Sequence, residues 1–392
     1  MTDFLIKCFV RNHKDTHSPD VRQSYGRLSS GVGILLNILL FAGKFTAGFL
    51  SGSIAITADA FNNLSDAGSS VITLAGFHLA GRRADSSHPF GHGRMEYLAG
   101  LLVSLLILLM GVELGRASFQ KILQPEEVVF SSVSAAILAV SICVKSWMFL
   151  FNRRLGRSIG SPAMTATAAD SLSDAVATAA VLLSTLAGRY LGLQIDAWVG
   201  VLVSLFILRA GWTAAKDTLD PLLGNPPDPE LVSAIEEAVL AHEEIRGIHD
   251  LVIHDYGPGR SMMSFHVEIP VDGDLMALHD VIDAIERELK EKFHIETSIH
   301  MDPIVTDDEL TNQTRARITQ LVQSIDPSLS IHDFRMTAGP LHTNLIFDVV
   351  VPYGCPLPDE QVEHSVRKTV EAMEGGTYYA VLQLDHSYIK SR

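Results

Sequence analysis

Long apolar stretches fill roughly the first 215 residues of this 392-residue chain and then stop. Crossing about 30 Å of hydrocarbon as a helix takes about 20 mainly apolar residues. Six stretches meet that length, at 30–51, 54–80, 96–118, 129–151, 163–187 and 191–213. Polar or turn-forming clusters separate them, among them Ser51-Gly52-Ser53, Gln124-Pro125-Glu126-Glu127 and Arg153-Arg154-Leu155-Gly156-Arg157. The second and fifth stretches contain several carboxylates. The apolar runs on either side of those acids are too long for loops, so both are predicted as membrane helices.

After Asn225-Pro226-Pro227-Asp228-Pro229 the pattern becomes that of a soluble α+β protein. It predicts a helix at 230–244, strands at 248–256 and 260–270, a helix at 275–292 and a strand at 295–302. That order, with two helices on one face of a small sheet, predicts a ferredoxin-like domain. The remaining chain repeats it. Ile248-His249-Asp250 recurs as Ile331-His332-Asp333, Phe265-His266-Val267-Glu268-Ile269-Pro270 as Phe347-Asp348-Val349-Val350-Val351-Pro352, and Ile299-His300-Met301-Asp302 as Leu382-Gln383-Leu384-Asp385. The expected fold is therefore a polytopic α-helical membrane protein with six transmembrane helices, followed by a duplicated cytosolic α+β ferredoxin-like domain. The expected segments are an N-terminal cytosolic stretch (1–29), the membrane domain (30–215), a first soluble domain (221–305) and its repeat (306–392).

Charge refines this picture in two ways. A formal net charge of −15 speaks against a nucleic-acid partner, because phosphate binding requires clustered Lys and Arg. The short loops set the orientation. Lys7, Arg11, Lys14, Arg22 and Arg27 precede the first span, Arg82, Arg83 and Arg94 follow the second, and Arg153, Arg154 and Arg157 follow the fourth. Lys121 and Arg189 stand nearly alone on the other side, so both termini are expected in the cytosol. The N-terminus shows no cleavable signal pattern, and a bacterial plasma membrane is the expected location. Three cysteines without a C-x-x-C spacing argue against a disulfide framework or a thiolate zinc site.

Ionisable residues inside spanning helices are costly and mark function by default. The second span carries Asp59, Asn62 and Asp66, and the fifth carries Asp170 and Asp174. Residues four apart share a helix face, so Asn62 stacks with Asp66 and Asp170 with Asp174, with Asp59 one turn from Asn62. Two such helices side by side would converge four oxygen-bearing side chains on one point. Oxygen-only coordination suits hard or borderline divalent cations. Emptied of metal, such a cluster would take up protons, which is a physical basis for exchanging metal against protons.

The motifs around these residues are Ala58-Asp59-Ala60-Phe61-Asn62-Asn63-Leu64-Ser65-Asp66, Asp170-Ser171-Leu172-Ser173-Asp174, His88-Pro89-Phe90-Gly91-His92-Gly93-Arg94-Met95-Glu96 and Ile299-His300-Met301-Asp302-Pro303. In this order and spacing the chain resembles the cation diffusion facilitators up to about residue 303. The resemblance implies six membrane helices, a cytosolic ferredoxin-like domain, a homodimer, and export of a divalent metal against protons. It places the transport site on Asn62, Asp66, Asp170 and Asp174. Zinc-selective members commonly carry His at one or both leading positions, where this chain has Asn62 and Asp170. The lost imidazole favours Mn²⁺ over Zn²⁺, Fe²⁺ or Co²⁺.

The resemblance also points to secondary sites. Asp85, His88 and His92 form a candidate loop site. His249, His266, His279, His300 and Asp302 form a candidate site in the first soluble domain. Arg94 and Asp220 are a candidate charge pair near the membrane surface. In the second repeat His332 and Asp385 remain, while Asp348 and Gln383 replace His266 and His300. The repeat is therefore expected to be structural or regulatory. No organic cofactor and no enzymatic activity are expected. An intramembrane aspartyl protease would need one Asp per helix, commonly in Gly-x-Gly-Asp, which is missing from the sequence. A non-transporting metal sensor would leave the membrane carboxylates without a purpose.

Overall fold

The computed structural model describes residues 2–13, 15–16, 18–51, 54–124, 132–191, 195–305, 308–339 and 342–387. Lys14, Gly52, Ser53 and Pro125-Glu126-Glu127, used above as charge or loop signals, lie outside the described residues. The chain divides into two compact units, Met1–Gly224 with Asp255–Arg260, and Asn225–His254 with Ser261–Arg392.

The first unit is helical. A short α1 (Thr2–Phe9) precedes six long helices: α2 (Pro19–Ser51), α3 (Ile54–Ala80), α4 (Met95–Leu123), α5 (Ser132–Ile159), α6 (Pro162–Leu191) and α7 (Asp196–Leu223). Among the described residues, α2, α4, α5, α6 and α7 contain segments long and apolar enough to cross a membrane. The expected second span, α3, has the length but is more polar, because Asp59, Asn62, Asn63 and Asp66 fall within it.

Several helices outrun the apolar stretches that announced them. Pro19 starts α2 well before residue 30, where proline's missing N–H is harmless in the first turn. The Arg153-Arg154-Leu155-Gly156-Arg157 cluster is the last part of α5 rather than a loop. Its two leading arginines are exposed while Leu155 is fully buried. Likewise α7 continues through Pro221, so Asp220 lies in its last turns and the division between units falls at Gly224. Gly224 ends the helix at φ 104°, a conformation that side chains with a Cβ resist.

Helix pairs in this unit pack through small residues. Gly76 on α3 faces Ala99 on α4, and Gly200 on α7 faces Ser118 on α4, so closely that a Cβ on either glycine would overlap its neighbour. Buried polar contacts cross the helices: Thr73 and Thr167 join α3 to α6 at 3.1 Å, and Ser29 donates to Asn152 of α5 at 2.8 Å.

The second unit contains one order of elements twice. It runs α8 (Pro229–Leu240), β1 (Gly247–Asp255, its last residue in the first unit), β2 (Ser261–Pro270), α9 (Leu275–Phe293) and β3 (Glu296–Ile304). Then come α10 (Glu309–Ile325), β4 (Ser330–Ala338), β5 (Thr343–Pro352), α11 (Asp359–Glu371) and β6 (Tyr378–Ser387). Two three-stranded sheets result, ordered β1-β2-β3 and β4-β5-β6. The central and last strands of each are parallel, and their registers correspond: His266 pairs with His300, and Asp348 with Gln383.

Each sheet buries one face. In β2, Phe265, Val267 and Ile269 point into a core with Leu278, Ile282, Ile285 and Leu289, a helical stripe on α9. In β5, Leu345, Phe347, Val349 and Val351 do the same against Val362, Val366 and Val370 of α11. Strand alternation therefore puts His266, Glu268 and Asp348 on the faces away from these cores. Caps fix the helix starts: Asp228 accepts from the Glu230 N–H at 3.0 Å, and Asp274 from that of Met276 at 2.9 Å.

Candidate metal centres

In the helical unit, α3 and α6 bring Asp66, Asp170 and Asp174 together, with one carboxylate oxygen of each within 4.8 Å of the others. Asp66 and Asp170 are each 5% exposed. Neighbouring hydroxyls are satisfied within their own helices: Ser70 donates to the Asp66 backbone carbonyl at 3.1 Å, and Ser171 to that of Thr167 at 3.1 Å.

A residue given no functional role at the sequence level completes this cluster. Lys145 of α5 reaches in and donates to Asp66 Oδ2 at 2.7 Å and to Asp174 Oδ2 at 2.6 Å. Its side chain is buried and satisfied rather than drawn out to an interface. A signal was present, since Lys145 is a lone cation in an apolar run and a cation there requires a partner. Three carboxylates and one ammonium sum to −2 when all are ionised.

Of the two other expected members, Asp59 lies elsewhere. Asp59 forms an ion pair with Lys44 of α2 at 2.8 Å and accepts at its carbonyl from Asn63 Nδ2, so it does not join the three acids. Asn62 shares the Asp66 side of α3 by spacing, but its side chain is exposed in the single chain.

The loop after α3 gathers Asp85, His88 and His92, again within 4.8 Å. Asp85 Oδ1 accepts from the backbone N–H groups of His88 and Ser87 at 2.8 and 2.9 Å. These bonds, that of His88 first, hold the Asp85 carboxyl below its usual range. His88 Nδ1 and His92 Nε2 lie 3.4 and 3.5 Å from its two oxygens, and His92 Nδ1 is buried without a hydrogen-bond partner. The expected Arg94–Asp220 pair does not form. Arg94 donates through Nη2 and Nε to the carbonyl oxygen of Asp255, at 2.6 and 3.0 Å, and the Asp255 carboxylate accepts from Tyr97 at 2.7 Å. Asp220 sits within α7 rather than in a loop free to meet Arg94.

In the second unit Asp302 is the hub of the first repeat. His266 Nδ1, His249 Nε2 and His300 Nε2 approach its carboxylate at 2.9, 3.4 and 3.5 Å. His279 is not part of this group: it is exposed on α9 and faces Asp283, one turn along, at 3.9 Å. Burial opposes charge on His249, but Asp250, Asp302 and Glu268 outweigh it and raise the imidazole's pKa. The His249 contact in turn holds Asp250 low. A further group, His332, Asp348 and Asp385, occupies the second repeat.

Two family models match the chain: the cation efflux transmembrane domain over residues 31–223 and the cation efflux protein cytoplasmic domain over residues 227–304. Among similar proteins, an uncharacterized transporter of Methanocaldococcus jannaschii is 28% identical, over 69% of this chain and 96% of its own. The manganese efflux system protein MneS of Bacillus subtilis is 27% identical, over 72% and 99%. The cation-efflux pump FieF of Klebsiella pneumoniae is 29% identical, over 72% and 95%.

Proposed function

The chain belongs to the cation diffusion facilitator family of cation efflux transporters, and from this premise we propose that it exports Mn²⁺ through Asp66, Asp170 and Asp174 in exchange for protons. The observation that carries the reading is the meeting of two buried carboxylates and one part-buried carboxylate from α3 and α6 with Lys145. A divalent ion entering a cluster of charge −2 makes it neutral, which is the state a low-dielectric site favours. Lys145 then gives up its contacts with Asp66 and Asp174 to the ion. On the far side of the membrane, two protons on the carboxylates balance the same charge, so metal and protons replace each other without leaving net charge buried. Asn62 supplies a fourth, neutral oxygen from the turn before Asp66.

Manganese is favoured because every side chain offered is an oxygen donor, and because a manganese efflux protein is among the relatives. Zn²⁺, Fe²⁺ and Co²⁺ are the competing cargoes. In this reading α3 is the sixth span, both termini face the cytosol of a bacterial plasma membrane, and the protein works as a homodimer. Each half of the second unit is a ferredoxin-like domain. The loop and first-repeat clusters bind metal on the cytosolic side and bias the alternating-access equilibrium. The test is metal flux by purified protein in proteoliposomes under an imposed pH gradient. Gradient-driven flux with Mn²⁺ preferred is expected. Preference for zinc would overturn the selectivity, and no flux of any of the four metals would overturn the transport reading.

A further inference from the structure

The two repeats of the second unit meet over a polar junction. Arg315 of α10 donates to both carboxylate oxygens of Glu268 on β2, at 3.1 and 3.2 Å, and the Asp333 N–H donates to the same carboxylate at 3.3 Å. His249 and His332 are equivalent residues of the two repeats, and their rings stack with centroids 4.2 Å apart. The residue after each imidazole, Asp250 and Asp333, has positive φ (53° and 52°), a conformation that short Asp side chains tolerate.

From there the halves diverge. Asp333 turns to Arg335, at 2.6 Å. Asp250 instead crosses to the other repeat, its Oδ1 lying 3.7 Å from His332 Nε2. The same nitrogen has Asp385 Oδ2 at 3.2 Å, and His332, Asp348 and Asp385 each offer a ligand atom within 4.8 Å of the others. His332 is 8% exposed and its Nδ1 is buried without a hydrogen-bond partner. His249 is buried as well, its side chain 7% exposed, with Asp302 Oδ2 3.4 Å from its Nε2 and Asp250 Oδ2 3.5 Å from its Nδ1. Buried nitrogen lone pairs without partners are unfavourable, and a group of carboxylates around them repels itself. A divalent cation held at His332 Nε2 relieves the repulsion between the carboxylates that face it.

We propose that the second repeat holds a divalent metal ion of its own on His332, Asp348 and Asp385, with Asp250 of the first repeat as a further ligand. The site lies across the junction, so its ion ties the repeats together. Its donor set is one imidazole and carboxylate oxygens, whereas His249, His266 and His300 surround Asp302 in the first repeat. The replacement of His266 by Asp348 therefore makes the second site the harder one. It suits Mn²⁺ and Fe²⁺ better, while the first suits Zn²⁺. The proposal is independent of the transport site.

Equilibrium dialysis of the full-length protein in detergent against Mn²⁺, with bound metal counted by mass spectrometry, tests it. Asp348→Asn/Asp385→Asn is expected to bind one Mn²⁺ fewer per chain than the native protein. Asp250→Asn, on the other repeat, should weaken that ion by about tenfold. Thermal melting in chelator checks folding: the variants should melt with the native protein, while the rise in melting temperature given by Mn²⁺ shrinks. Unchanged Mn²⁺ stoichiometry and affinity in the double variant would overturn the proposal. His332 would then simply pack between Asp250 and Asp385 as a structural contact.

Discussion

Two acidic clusters, one in the helical unit and one at the junction of the repeats, handle their charge in opposite ways. In the helical unit, the chain supplies its own cation: Lys145 is hydrogen-bonded to two of three carboxylates. At the junction of the repeats, Asp348 and Asp385 gather with His332, whose Nε2 lies 3.2 Å from Asp385 and 3.7 Å from Asp250. A membrane interior offers no water to screen an uncompensated group, so a resident counter-charge is needed at every moment. A cytoplasmic domain can leave such groups ready for an ion from solution. Under the proposals above, the first cluster would exchange one cation for another and the second would gain one.

The sharpest break of this contrast removes a carboxylate. Asp174→Ala or Asp66→Ala is expected to lower proteoliposome metal flux by more than about 100-fold, a larger loss than changing a group that only supports a ligand gives. Flux close to native in either variant would sink the site assignment. Removing the internal cation instead should strike stability first. Lys145→Met leaves buried carboxylates unmatched and should cost about 3 kcal/mol without metal, and saturating Mn²⁺ should recover much of it in a thermal melt. If Mn²⁺ gives no more stabilisation there than in the native protein, lysine and metal do not compete for the same oxygens.

At the junction, Arg315→Ala leaves Glu268 buried with only the Asp333 N–H. The expected loss is roughly 2 kcal/mol, below the usual figure for a buried pair because Arg315 is 35% exposed. Denaturant unfolding of the second unit would show it, and no shift of midpoint would mean that the repeats separate at no cost. The smallest effect is expected at Gly224. Alanine meets no neighbouring atom there but must adopt φ 104°, at a cost of about 1 kcal/mol.

Much of this was legible in the chain because its signals are periodic. Membrane hydropathy located the long helices, four-residue spacing put Asp170 with Asp174, and alternation in Phe265-His266-Val267 and Phe347-Asp348-Val349 matched the two repeats to the register later seen in their sheets. What periodicity does not encode is which faces meet. Lys145 lies on a helix without acids of its own, so only packing could join it to Asp66. Asp59 is a further candidate one turn from Asn62, and only packing shows that it pairs with Lys44 of α2. His279 matched by composition but lies on α9, away from the open sheet face that holds the other histidines. Asp348 and Asp385 looked like remnants because the site they complete borrows Asp250 from the other repeat.

Carrying both repeats on one chain has a consequence for how their junction can change. When two identical subunits share a surface, one substitution alters both sides at once, and a pairing between unlike residues must occur twice or not at all. Here Glu268 meets Arg315, whereas its counterpart in the second repeat is Val350, so the bond exists once. With both halves on one chain, each is free to vary alone. A histidine missing on one side can be answered by an aspartate on the other, and two similar surfaces can differ in what they bind.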